Sequence, residues 1–361
     1  MLNDTNNLYR LRKDLINAVA NKNYIIFIFC NIDRNNFNNK NIRLINTFGS
    51  SNSINPFFLL INFFIIFVQS IIHRPILIYS FTIKPNIYAI LISFFLKIKS
   101  ISTFSGLGNL FLNNETLYKF IFKIISVFKS KNNFLMFHNE DDKLFFKNKF
   151  FFKSNNLFVI NGSGIILKKK FIFKKYNELN ILTVMRPLKE KGIEDYITLI
   201  NNFYDKSYDK INKLNFFLVT TITKKNMYYN AINQLLKKKR ITIINGNQDF
   251  ENYYENCNIY LSLSKREGLS QSMIKSMHYS NLIISLDVVG CRKLIANKKN
   301  GFLLKNHDIK NNLTDIFNYI LDIKNNISLR NIIKNSYNKI DATYSQNYIN
   351  NIYLKYVDRK N

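Results

Sequence analysis

The chain has 361 residues, 47% of them hydrophobic, with 52 Lys and Arg against 23 Asp and Glu for a formal net charge of +29. That length supports two hydrophobic cores, since domains cluster near about 100–150 residues, while three cysteines without shared spacing and four histidines exclude a disulfide framework and a histidine-rich metal centre. The basic excess selects an anionic partner (nucleic acid, anionic lipid or a phosphorylated substrate) without choosing among them, and an A/T-rich coding bias toward Asn, Lys, Ile, Phe and Tyr accounts for part of it.

Residues 1–15 are polar and carry Asp4 and Asp14, unlike a signal peptide. Leu8, Leu11, Leu15, Ile16 and Val19 form a helical stripe over 8–20. Residues 24–30 read as a strand of a parallel sheet covered on both faces, 31–40 as a loop and 43–45 as a short strand. The apolar run 56–72, broken by Asn62, Gln69 and Ser70, is shorter than the about 20 residues of a membrane span. It is expected to be a buried helix of an α/β domain with one face near a bilayer, as is 87–96. A strand at 76–79, a helix at 84–96 opened by Pro85, and a strand at 98–104 follow, the last running into Ser105, Gly106, Leu107 and Gly108. Strands at 134–137 and 158–160 flank a helix at 139–146.

Beyond a basic link at 168–180, strands at 181–185, 215–220, 241–244, 259–263 and 282–285 alternate with helices, notably 227–238, 270–278 and 309–323. The pattern predicts two Rossmann-like, doubly wound α/β domains over 1–167 and 181–327, facing each other across an interdomain cleft. Residues 328–361 are expected to be helical and to cross back to the first domain.

In so glycine-poor a chain, Gly106 and Gly108 and then Gly162 and Gly164 stand out as strand-end pairs, placing backbone against a ligand or serving turns that need positive φ. In the second half, Arg186 and Lys191 follow one strand and precede a helix, a plausible diphosphate clamp, or else a solvated basic loop. Glu267 sits in Ser264-Lys265-Arg266-Glu267-Gly268-Leu269, again between strand and helix, where a carboxylate can accept hydrogen bonds from sugar hydroxyls.

Arg186 to Gly192, Lys265 to Leu269 with Met273 to Met277, Leu282 to Ile295, and Asn300 to Leu304 together resemble the donor-binding half of the retaining group-4 glycosyltransferases. Phe81 to Tyr88, Ser105 to Phe111 and Asn139 to Phe145 resemble a bacterial subgroup that builds lipid-linked oligosaccharides and polysaccharides. The resemblance runs in order over roughly residues 8–340 and implies a GT-B fold. It implies retaining transfer from a nucleotide sugar, UDP-linked and of the N-acetylhexosamine type, to a polyprenyl-diphosphate-linked or growing saccharide.

By that resemblance Arg186 and Lys191 neutralise the departing diphosphate and Glu267 contacts the donor sugar, these three being the catalytic set. Gly268, Leu269 and Lys275 join them in binding the donor. Lys84, Gly106, Gly108, Asn139, Gly162 and Gly164 lie on the acceptor side. No metal and no other cofactor are implied. The partners implied are the two substrates and an anionic membrane surface, not nucleic acid, and the location implied is cytoplasmic, peripheral on the inner face of the membrane.

The sequence also departs from the family. Lys275 stands where relatives carry a carboxylate for ribose, Met185 replaces a glycine, Pro187 replaces an apolar residue, and Ile165 follows the Gly162-Ser163-Gly164 loop in place of aspartate. Because the chain starts close to the first helix, the family's first strand and its glycine loop are expected to be absent, through a start set short or through degradation. Two other readings therefore stay open: a catalytically degraded relative, and a basic nucleic-acid-binding protein.

Overall fold

The computed structural model describes residues 1–2, 8, 11–32, 39–49, 55–106, 115–150, 152–205, 213–305, 309–322 and 326–358. Backbone contacts divide the chain into two compact units, 1–164 with 346–361, and 165–345.

The first unit begins with helix α1 (Lys13–Ala20), strand β1 (Ile26–Cys30) and strand β2 (Ile42–Asn46). Helix α2 (Pro56–His73), strand β3 (Leu77–Phe81), helix α3 (Ile83–Leu96) and strand β4 (Lys99–Phe104) come next. Helix α4 (Glu115–Val127), strand β5 (Asn133–Phe137), helix α5 (Glu140–Phe150) and strand β6 (Leu157–Val159) complete its first pass. All pairings are parallel, in a two-stranded sheet β1-β2 and a four-stranded sheet β3-β4-β5-β6. Phe104, Phe137 and Phe146 stack around one core, with Phe146 centred 4.9 Å from each of the other two rings.

Helix α2 departs from the expectation of a buried helix. Asn55 caps it by accepting from the Phe57 amide at 2.9 Å, and Pro56 fits its first turn, where no intrahelical N–H is needed. Its buried residues are Asn62, Ile66 and Ser70, while Phe57, Leu60, Phe64, Val68, Ile71 and Ile72 are exposed. The polar interruptions face inward because they have partners there. Asn62 both accepts from and donates to the Phe48 backbone, at 2.8 and 2.9 Å, and the Ser70 hydroxyl donates to the Ile66 carbonyl at 2.7 Å. Helix α3 buries Asn86, Ala89, Ile90, Ile92 and Ser93 and leaves Phe94 and Phe95 exposed, with Phe95 edge-on to Phe67 of α2.

In the second unit the elements are β7 (Leu179–Val184), α6 (Ile193–Asp205), β8 (Leu214–Thr220), α7 (Tyr229–Lys237), β9 (Thr242–Asn245) and α8 (Glu251–Asn256). They continue as β10 (Ile259–Ser262), α9 (Gln271–His278), β11 (Leu282–Leu286), α10 (Val289–Arg292), β12 (Phe302–Leu304), α11 (Ile309–Leu321) and α12 (Asn326–Asn338). Six parallel strands form one sheet in the order β12-β11-β10-β7-β8-β9. Every residue of β10 and β11 is buried, which is why these strands read as unbroken apolar runs. The basic segment ahead of β7 is pinned to this unit. Lys174 donates to the Tyr254 and Cys257 carbonyls and to Asn281 Oδ1, and burial pulls its ammonium down to about 8.

The helical region expected after residue 328 lies in two helices, the first beginning at Asn326. Asp341 accepts from the Thr343 amide at 2.8 Å and opens a short 3-10 turn between α12 and α13 (Gln346–Asp358). Helix α13 packs in the first unit, where Ile349 and Tyr353 are fully buried and the Tyr353 hydroxyl lies 2.8 Å from Thr103 Oγ1.

Candidate active site

The order of the second sheet reverses between β7 and β10: the chain steps outward from β7 through β8 and β9, then restarts on the other side at β10. Ligands of open parallel sheets bind beyond the carboxyl ends of the strands at such a reversal, where the following loops diverge. The loop after β7 carries Arg186 and Lys191, and the loop after β10 carries Ser264 to Leu269.

Backbone contacts hold these two loops together. The Lys265 amide donates to the Glu190 carbonyl at 3.0 Å, the Ser264 hydroxyl donates to the same carbonyl at 3.4 Å, and the Lys265 side chain pairs with Asp195 of α6 at 3.0 Å. Gly192 has φ +78°, and a Cβ there would lie 2.0 Å from the Leu263 carbonyl oxygen, so only glycine lets the loops close. Gly290 performs the same service from α10, since a Cβ would come within 2.4 Å of the Glu267 carbonyl oxygen.

The closure brings Lys191 and Glu267 into an ion pair, Nζ to Oε1 at 2.8 Å, with both side chains mostly shielded from solvent. Gly268 and Leu269 are buried beside it, and Ser270 caps α9 by accepting from the Met273 amide at 3.3 Å. Arg186 is exposed at the turn after β7, with no carboxylate partner among the described residues. Lys275 lies farther along α9 and pairs with Glu251 of α8 at 3.2 Å, above the Tyr254 ring. Burial acts to raise the Glu251 pKa, but the hydrogen bond from the Tyr279 hydroxyl and the Lys275 charge outweigh it and leave the carboxyl below its ordinary value. Glu251 and Asp195 escaped the sequence reading, whereas Gly290 belongs to the motif Leu282 to Ile295. Neither carboxylate carries a signal in the sequence pattern that could have marked it.

The residues expected on the acceptor side all belong to the first unit. Lys84 lies in the first turn of α3, lines a cavity of about 40 Å³ with Thr47 and Asn62, and has its pKa lowered by burial. Next to it Thr82 holds a positive φ of 75°, unusual for a β-branched residue, and its buried hydroxyl has no hydrogen-bond partner among the described residues. Asn139 caps α5, accepting from the Asp142 amide at 2.8 Å and donating to the Asp142 carboxylate at 2.9 Å. Gly106, Gly162 and Gly164 have φ of 129°, 74° and 77°, so each serves its turn; Gly108 lies outside the described residues. Among the described residues no three His, Cys, Asp or Glu side chains are grouped as metal ligands.

Residues 166–339 match the glycosyl transferases group 1 family, a span that contains both loops of the site. That span is almost the whole of the second unit, and the chain is a glycosyltransferase. Its fold is GT-B. The transferase is 26% identical, over 98% of its length and 96% of the relative, to an N,N'-diacetylbacillosaminyl-diphospho-undecaprenol alpha-1,3-N-acetylgalactosaminyltransferase of Campylobacter jejuni. Among solved structures it resembles a glycosyltransferase of Rickettsia africae at TM-score 0.74 and 16% identity, covering 99% of this chain and 98% of that one. It also resembles the Anabaena HepE protein in complex with UDP-glucose, at TM-score 0.69, 13% identity and 91% coverage of each chain.

Proposed function

We propose that the transferase moves an N-acetylhexosamine from a UDP-linked donor to a polyprenyl-diphosphate-linked saccharide, with retention at the anomeric carbon. The observation that carries this reading is the Lys191–Glu267 pair at the reversal point of the second sheet. As the bond between sugar and diphosphate breaks, negative charge grows on the leaving phosphate, and fixed cations lower its cost without reorganising. Arg186 and Lys191 supply those cations. A diphosphate competes with Glu267 for the Lys191 ammonium, which leaves the Glu267 carboxylate able to accept from donor-sugar hydroxyls beside the Gly268 and Leu269 backbone. Lys84, Thr82 and the loops at Gly106 and Gly162–Gly164 receive the acceptor. The similarity to the Campylobacter jejuni enzyme supports the acceptor class and the sugar type, and the likeness to HepE with UDP-glucose supports the nucleotide.

The same reading places the protein on the cytoplasmic, anionic face of a membrane. Its support is the outward apolar face of α2, with mean hydropathy 2.0 over 18 residues and only 17% of them buried, continued by Phe94 and Phe95. A screen of UDP-sugars with a short polyprenyl-diphosphate saccharide tests the function. Acceptor-dependent UDP release and an acceptor heavier by one sugar are expected. No transfer from any nucleotide sugar, with the donor site shown to bind UDP, would exclude it.

A further inference from the structure

The chain passes between the two units after Gly164 and again after Ser345, and from the first passage it runs to β7 through residues 165–178 without a helix or strand of its own. Such a segment must find partners for its backbone outside any ladder. Ile165 finds one beside the second passage, its amide donating to the Tyr344 carbonyl at 2.9 Å. Two later amides converge on one side chain. Lys168 and Lys169 both donate to Nε2 of His278, the last residue of α9, at 2.9 and 3.0 Å. Farther on, the Ile172 amide donates to the Ser280 hydroxyl at 3.2 Å, and the Lys174 ammonium is held by its three acceptors.

Backbone amides only donate, so two of them aimed at one ring nitrogen leave it no proton, and His278 is neutral here with its proton on Nδ1. The ring is buried and stacked against Tyr337 of α12, with ring centres 6.0 Å apart, and the Tyr337 hydroxyl donates to the Lys169 carbonyl at 2.9 Å. His278 thereby ties the incoming segment to α9 and to the helix that leads toward the second passage. Burial is the largest influence on the ring and holds its pKa below the ordinary value. Lys169 of the segment and Lys275 of α9 act in the same direction, while Glu251 of α8 acts against them. Lys169 is itself paired with Glu255 of α8, and the Tyr279 ring, edge-on at 5.9 Å, completes the surroundings.

We propose that His278 is a proton-operated clasp on the segment where the chain enters the second unit: neutral, it fastens Lys168 and Lys169 to α9, and protonated, it lets residues 166–171 come away. A proton on Nε2 turns the shared acceptor into a third donor, so both bonds are lost together. Release stops at the next two pins. Ser280 does not titrate, and the Lys174 ammonium, whose pKa burial lowers to about 8, stays charged in acid and keeps its three bonds. Because folding lowers the His278 pKa, the stability that the clasp contributes is complete above the unfolded value, near about 6.5, and is lost as pH falls through the folded one.

Amide hydrogen exchange on the full chain tests this, read as protection factors so that the intrinsic pH dependence of exchange cancels. Protection at Lys168 and Lys169 should fall about tenfold or more between about pH 7.5 and about pH 5, with the amides of β11 unchanged. His278→Gln keeps an acceptor that does not titrate, so protection should persist at the lower pH. His278→Phe keeps a ring against Tyr337 and removes the acceptor, so protection should be low at both. Wild-type protection that stays level across the range would overturn the proposal, as would an equal fall in His278→Gln. A ring proton found on Nε2 at neutral pH by nitrogen NMR would overturn it too. Because no readout uses transfer activity, failure here is separate from failure of the proposed reaction.

Discussion

In the second unit the strands from β12 to β9 are hydrogen-bonded in one unbroken order, and the apolar faces of its helices pack inward. The first unit turns the apolar face of α2 outward and, among the described residues, leaves β1-β2 and β3–β6 without a shared ladder, with Met1 and Leu2 hydrogen-bonded to both and core side chains packed between them. Under the proposed function, the contrast follows from what each unit binds. A site that stabilises a departing diphosphate needs charges held in place before the reaction, so its loops are wedged by glycines against backbone. A surface that meets a lipid-linked acceptor gains by keeping apolar side chains available, and such a surface costs the unit buried area that a fully inward-facing helix would have contributed.

The largest expected effect tests the rigidity of the second unit. Gly192→Ala places a Cβ into the Leu263 carbonyl and forces φ +78° on a residue that disfavours it. A loss of about 3 kcal/mol of stability is expected from overlap and strain together. Chemical denaturation should show it, with faster hydrogen exchange at the carboxyl ends of β7 and β10. A midpoint unchanged from wild type would mean that the loops have slack, and the contrast between the units would weaken.

Next in size is the chemistry. Lys191→Ala and Arg186→Ala should each lower kcat/KM by roughly 10²-fold, the scale of losing one transition-state donor. Glu267→Gln should lower kcat more than it weakens donor binding, since glutamine keeps the shape and loses the charge. The double change Lys191→Ala with Glu267→Gln should cost less than the product of the single losses, because each partner is already disturbed when the other is removed. Multiplicative losses would show that the pair at 2.8 Å does not act as a unit.

The second unit was the more legible in sequence, and for the same reason that it is rigid. Strands buried on both faces must be continuously apolar, so 259–263 and 282–285 could be read within a residue of β10 and β11. The loops after them announced themselves through cations and a carboxylate at strand ends. What escaped was set by tertiary contacts. Strand β12 has three residues, too few to show a period, and α4 went unread. The inward face of α2 is its polar one, which no apolar pattern can announce, because Asn62 finds its partner on Phe48. The split between α12 and α13 depends on Asp341 capping a turn rather than on any loss of helical periodicity.

The outward face of α2 sets the third test. Phe57 and Phe64 are 65% and 60% exposed, so replacing both with serine should leave the melting temperature within about a degree. Flotation with anionic liposomes should weaken roughly tenfold per residue, since a partly inserted phenyl ring contributes about 1.5 kcal/mol. Binding should also fall with added salt, as basic residues near an anionic surface each contribute about 1 kcal/mol. Unchanged flotation of the double variant would remove lipid as the reason for the exposed face.

The smallest effect lies at Lys275, where the second unit keeps a charge pair on its surface. Glu251 has its carboxyl held below the ordinary value, the Tyr279 hydroxyl and the Lys275 ammonium overcoming the opposing effect of burial. A carboxyl whose pKa is lowered by folding contributes stability that is complete above the unfolded value, near about 4.3, and is lost as pH falls through the folded one. Lys275→Met removes the ammonium and leaves the Tyr279 bond, so Glu251 should move part of the way back up. The variant should therefore be less stable than wild type at pH 7, by less than about 1 kcal/mol because half the Glu251 side chain is in solvent. The gap should shrink as pH is lowered from about 5 toward 3, where Glu251 is protonated in both proteins. Denaturation midpoints across that range measure it. A gap that stays constant with pH would place the cost of the substitution in packing against the Tyr254 ring, 5.3 Å from the ammonium, rather than in the ion pair.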